Sequence, residues 1–165
     1  MAAITGGVVW VADSLLLLAT PVSAVSDGLF GIAALCTAGG FVGFHALQKD
    51  DYGRIGRGGL WTVVVATLAL VVGLIVSLLG STALDEGPFF PVVTLAVVVG
   101  FVLYGAASLQ ARLLPRWCGI GFIVGPLMFV LGDLGGMLFG LLWLALGYVL
   151  WSQRDTSVGQ PSRVS

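Results

Sequence analysis

Apolar residues fill this chain in long blocks as far as Trp151, and inside the blocks they do not alternate with polar ones. Runs such as Leu15-Leu16-Leu17-Leu18 and Val63-Val64-Val65 lack the period of two expected of a half-buried strand. In lipid only helices and closed barrels satisfy their own backbone polar groups, and a barrel would alternate apolar and polar residues in strands of roughly 10 residues. The pattern therefore predicts transmembrane helices. Span 1 covers Ile4 to Thr20 and stops at Pro21; span 2 covers Gly28 to Gln48; span 3 covers Leu60 to Leu79. Span 4 covers Phe89 to Leu109, with Pro91 in its first turn, where a missing N–H costs least.

The stretch from Trp117 to Trp151 decides the number of spans. It is 35 residues long and Asp133 is its only charge. As one helix it would rise about 52 Å, against a hydrocarbon core of roughly 30 Å. The segment Gly132-Asp133-Leu134-Gly135-Gly136 offers a turn in its middle, giving span 5 from Trp117 to Leu131 and span 6 from Leu134 to Trp151. The expected fold is an all-α, polytopic transmembrane helix bundle of six spans with short loops, five spans being the alternative. Residues 1–151 form one bundle, and residues 152–165 a polar, disordered tail without periodicity.

Composition sharpens the class. Hydrophobic residues make up 58% of the chain and charged residues 9%, with a mean hydropathy of +1.08. Soluble domains carry about 25% charged residues, so this chain could not cover its surface in water. The formal charge of −1 says nothing about nucleic acid, but the chain has no basic patch of the size such a partner needs, so none is expected. A secretory signal peptide ending near Val22-Ser23-Ala24 is the competing reading of span 1. The N-terminus lacks Lys and Arg, however, and Asp13 interrupts the apolar region.

The seven basic residues orient the spans. Lys49, Arg54 and Arg57 lie in a loop from Lys49 to Gly59, Arg112 and Arg116 in a loop from Gln110 to Arg116, and Arg154 and Arg163 in the tail. Six spans put all three regions on one side. The opposite connections carry Asp27, then Asp85 and Glu86 in the loop from Gly80 to Pro88, then Asp133, and no base. By the positive-inside rule both termini are cytoplasmic, and Trp61, Trp117 and Trp151 then fall at the cytoplasmic interface. Five spans would strand the two tail arginines outside. The excess of Arg over Lys, with many Ala, Val and Gly, points to a GC-rich prokaryotic gene and hence to the cell (inner) membrane.

Few residues offer chemistry. Asp13 lies inside span 1, where a carboxylate costs about 2.5–3.5 kcal/mol on insertion scales, and so is a candidate ion or proton site. No span contains Lys or Arg, so a partner for Asp13 must be neutral: Ser14 nearby, or Thr37, Thr67, Thr94, Tyr104 or Ser108. His45, the single histidine, is a candidate relay near the end of span 2. Arg54, Arg57, Arg112 and Arg116 could hold anionic lipid head groups, and the same charges serve topology. Asp133 reads as a cap on the last hairpin. Gly39 and Gly43, Gly121 and Gly125, and Gly132, Gly136 and Gly140 recur at spacings of four, which lets helices approach closely within the chain or between copies. Pro126 should kink span 5.

One histidine and two cysteines, Cys36 and Cys118, fit no metal spacing; Cys36 falls near the middle of a span and Cys118 at the membrane-surface start of another, which argues against a disulfide. No cofactor motif or catalytic signature occurs: HExxH, GxSxG, a Walker loop and paired intramembrane acids are all missing. A shift of 62 residues aligns Gly43 with Gly105, Leu47-Gln48 with Leu109-Gln110, Arg54 with Arg116 and Gly59 with Gly121. That would make spans 2–3 and 4–5 parallel hairpin repeats, as some transporters have.

Leu113-Leu114-Pro115-Arg116-Trp117, Leu141 to Tyr148 and the Tyr52-Gly53-Arg54-Ile55-Gly56-Arg57 loop resemble small multi-pass integral membrane proteins of prokaryotes that carry no assigned function. The resemblance implies an inner-membrane bundle of five or six spans and transfers no active site. The leading expectation is a structural or interaction subunit packing against itself, a membrane-protein partner or lipid through its Gly-rich faces. A small transporter or channel using Asp13 is the alternative. An enzyme acting on lipid would need polar groups gathered around His45 and the arginines.

Overall fold

The computed structural model describes residues 1–19, 24–48, 51, 53–80 and 88–158. Six helices account for nearly all of them: α1 (Ala2–Ala19), α2 (Ala24–Gln48), α3 (Gly53–Gly80), α4 (Phe89–Ala111), α5 (Arg116–Met128) and α6 (Asp133–Val158). Five are long and apolar enough to cross a membrane. The exception is α5, which with the 3-10 turn Phe129–Leu131 forms an apolar segment from Arg116 to Leu131. At 1.5 Å per residue that segment rises about 24 Å.

The break falls where the glycines predicted it. Gly132 takes φ +62° and ψ −137°, backbone that a side chain would strain. Its N–H donates to Phe129 O and its carbonyl accepts from Gly136 N, which closes the turn into α6.

Several boundaries differ from the sequence reading. The loop drawn from Lys49 to Gly59 is mostly helix: α3 starts at Gly53, whose φ of +63° turns the chain, so Arg54 and Arg57 stand on its first two turns. Arg116 opens α5, and Arg112, in the left-handed region at φ 55°, ends α4. Asp27 belongs to the first turn of α2 rather than to a loop. Polar residues at a membrane surface extend helices that hydropathy alone cuts short, because the helical hydrogen bonds continue into the head-group layer. For the same reason α6 passes Trp151 and runs to Val158, so the start of the expected irregular tail is helical. Lys49, Asp85, Glu86 and Arg163 lie outside the described residues, as does the side chain of Asp133 on which the hairpin-cap reading rests.

Consecutive helices pack as antiparallel neighbours, and α1 packs against α6, so the six close into a ring. Glycine sets the tightest seams. A Cβ on Gly7 would lie 2.7 Å from the backbone N of Leu144, and one on Gly147 would lie 2.8 Å from that of Ile4, which fixes the α1–α6 contact. Gly59 and Gly100 do the same for α3 and α4, Gly105 and Gly119 for α4 and α5, and Gly121 and Gly125, against Leu142 and Phe139, for α5 and α6.

The helices are inside-out relative to a soluble protein. On α1 the buried positions are Ala3, Gly6, Gly7, Trp10, Asp13 and Ser14, while Val8, Leu15 and Leu18 face outward. Lipid is as apolar as leucine, so association rests on close packing rather than on hiding hydrocarbon from water. The ring is filled by Phe41, Phe44, Tyr104, Phe122 and Trp143, all essentially inaccessible. Phe41 sits at its hub, with ring centroids 4.7 Å from Phe101, 5.0 Å from Tyr104 and 5.3 Å from both Phe122 and Trp143.

The antiparallel order gathers Arg54, Arg57, Arg112 and Arg116, all exposed, at one end of the bundle. At the opposite end lie the C-terminus of α1, the N-terminus of α2 and the Gly132 turn.

Candidate functional site

Asp13 stands six residues before the end of α1, on the side away from the arginines, and is 3% exposed. The hydroxyl of Ser26, in the first turn and a half of α2, donates to Asp13 Oδ1 at 2.8 Å. This partner is a neutral hydroxyl, as the lack of intramembrane bases required, and Ser26 is not among the six residues the sequence offered. Ser26 was passed over because the hydropathy boundary of span 2 fell at Gly28, two residues beyond it. Ser14 turns the other way, its Oγ 2.6 Å from where a Cβ on Gly136 would stand, so it serves the α1–α6 seam. Inter-helical hydrogen bonds in membranes contribute about 0.6–2 kcal/mol each.

One turn before Asp13, Trp10 Nε1 donates to Thr37 Oγ1 at 3.1 Å. These two residues form part of the wall of a cavity of about 220 Å³ in the middle of the ring. All six helices contribute to its lining, among them Trp10, Thr37, Thr67, Phe101, Pro126 and Phe139. Its rim includes Phe90 and Phe129, both exposed at the end opposite the arginines. Its floor is reached at Thr37 and Thr67, each 13 residues from the helix terminus at that end, or about 20 Å in. Asp13 does not line it.

Beyond the floor, toward the arginines, the aromatic cluster around Phe41 closes the ring. Past it, Gln48 is completely buried at the end of α2, its Oε1 accepting from Ser108 Oγ on α4 at 3.0 Å. Among the described residues, Gln48 Nε2 and Trp143 Nε1 find no hydrogen-bond partner. Neither residue stood out in the sequence. A glutamine at the end of a span reads as an interfacial residue, and only the packing of α4 across it reveals its burial.

None of the remaining candidates lines the cavity. His45 is half-buried on α2 near the basic end. Gly39, Gly43, Gly121, Gly125, Gly136 and Gly140 meet residues of neighbouring helices in the same chain, whereas Gly132 serves the turn and has open space beside it. The hairpins α2–α3 and α4–α5 run in the same direction, but the residues matched by the 62-residue shift occupy different settings. Gln48 is buried and Gln110 exposed; Gly43 faces Leu150 on α6, while Gly105 faces Ile123 and Gly119 on α5. Cys36 and Cys118 are both free thiols. Among the described residues, no three His, Cys, Asp or Glu side chains gather where they could hold a metal ion.

These features define a helical bundle of the membrane-spanning class, with a buried acid and an apolar central cavity. No family model, curated protein or solved structure matches the chain.

Proposed function

We propose that the protein is a structural or interaction subunit of the cell (inner) membrane, crossing it six times with both termini cytoplasmic. The observation that carries this reading is the closed state of the one intramembrane acid: Asp13 is 3% exposed and held by Ser26. A transporter that loads an ion on Asp13 needs a water path to it. Here the neighbouring cavity has apolar walls, and the Phe41 cluster fills the ring beyond it. The orientation rests on the exposed arginines of α3 and α5, whose end also meets anionic lipid head groups in this reading.

Because most of the candidate glycine faces are occupied within the chain, contact with a partner falls on the outer face of α3. That face exposes Val65, Leu68, Val72, Ile75, Val76 and Leu79, and α3 is the least buried of the long helices. Native mass spectrometry of the protein extracted with its own lipids should find a defined oligomer or a second polypeptide. Asp13→Asn should retain that assembly, since an amide oxygen still accepts from Ser26. A bare monomer in both, or an ion-linked uptake activity lost in Asp13→Asn, overturns the reading in favour of transport.

A further inference from the structure

We propose that the central cavity is a binding site for a small uncharged, apolar molecule built on an aromatic or similarly flat ring. The inference is independent of the subunit reading. Its first ground is size: an apolar cavity of about 150 Å³ admits a benzene-sized ring, and this one measures about 220 Å³. Its second ground is the walls. Trp10, Phe30, Phe90, Phe101, Phe129 and Phe139 all line it, and aromatic rings favour edge-on or offset partners at centroid separations of about 4.5–7 Å. The lining contains no charged residue, so an ionic ligand would be desolvated without compensation.

The third ground is that the cavity presents almost no polar surface. Thr37 and Thr67 lie at matching depth at its inner limit, but Thr37 Oγ1 already accepts from Trp10 Nε1 and the wall is carbon almost throughout. Ordered water needs two to four polar partners per molecule, more than this wall provides for a cavity of several waters. The end of an acyl chain would fill the volume but offers neither a flat face nor a ring edge to the aromatic rings.

The test uses the full chain in bilayer discs of unbrominated lipid, with bromobenzene as the probe. The readout is quenching of Trp10, taken as the difference between the unmodified protein and Trp10→Phe. Saturable quenching is expected, and Thr67→Val, which removes one hydroxyl and keeps the shape, should leave it within about twofold. Ala34→Phe, which fills the cavity, should abolish it, and Val97→Phe does the same from α4 should the first variant fail to fold. Quenching that rises linearly with probe, or that survives a folded filling variant, overturns the proposal. So does quenching of Trp10 by lipids brominated at the chain end that unbrominated benzene fails to relieve, since the cavity then belongs to an acyl chain.

Discussion

Gly7→Leu is expected to abolish the folded bundle, and Gly7→Ala to destabilise it by about 1–3 kcal/mol, the usual range for overpacking. A single methyl group at Gly7 would stand 2.7 Å from the backbone N of Leu144 and 2.8 Å from the carbonyl oxygen of Gly140. Backbone on a packed helix cannot swing aside as a side-chain tip can, so α1 and α6 must separate. Gly140 is locked reciprocally, its own Cβ position lying 2.9 Å from Gly7 O. The α1–α6 seam is what closes the ring, so its loss frees both terminal helices. Gly58→Ala is the matched control: nothing lies within 4 Å of its Cβ position, and within the helix it should stabilise by up to about 1 kcal/mol rather than destabilise. Unfolding midpoints in mixed detergent measure both, and equal effects at the two sites would refute close packing as the cause.

Phe41→Ala is expected to cost about 3–5 kcal/mol, the range for emptying a large aromatic site. Phe41 is completely buried and its ring lies within 5.3 Å of four other aromatic rings, contributed by α4, α5 and α6. Each such pair contributes about 0.5–1.5 kcal/mol. The transfer of hydrocarbon out of water supplies little of this cost, because the separated helices remain in lipid. What is lost is contact. Leu79→Ala removes a comparable volume from a site that is 84% exposed and should leave the same unfolding curve unchanged. A small effect at Phe41 would mean that the centre of the ring is looser than the packing implies.

The helices were legible because lipid leaves the backbone no other choice, and the Gly132 hinge because a 35-residue apolar stretch outruns the bilayer. Helix ends were not, since hydropathy marks where hydrocarbon stops and the helix continues into the head-group layer, as Gly53, Ser26 and Val158 show. Which residues face inward was only half legible. The glycine spacings marked close approach, yet whether Gly121 met another helix of this chain or of a second copy depended on ring closure. The partner of Asp13 was limited to neutral hydroxyls by composition, while Ser26 itself followed from the depth at which α2 begins. The cavity had no sequence signal, because its walls come one or a few residues at a time from six helices and threonine in a span has many uses.

Six crossings are the claim on which the ring, the orientation and the position of the cavity all depend. Single cysteines at positions 57, 131 and 152, in a chain whose Cys36 and Cys118 are replaced by alanine, can be labelled in intact cells and in inverted vesicles with a membrane-impermeant maleimide. Positions 57 and 152 should react only in inverted vesicles, and position 131 only in intact cells. Labelling of position 152 from the outside, with 131 reacting from the inside or not at all and 57 staying inside, would mean five crossings and would contradict the account.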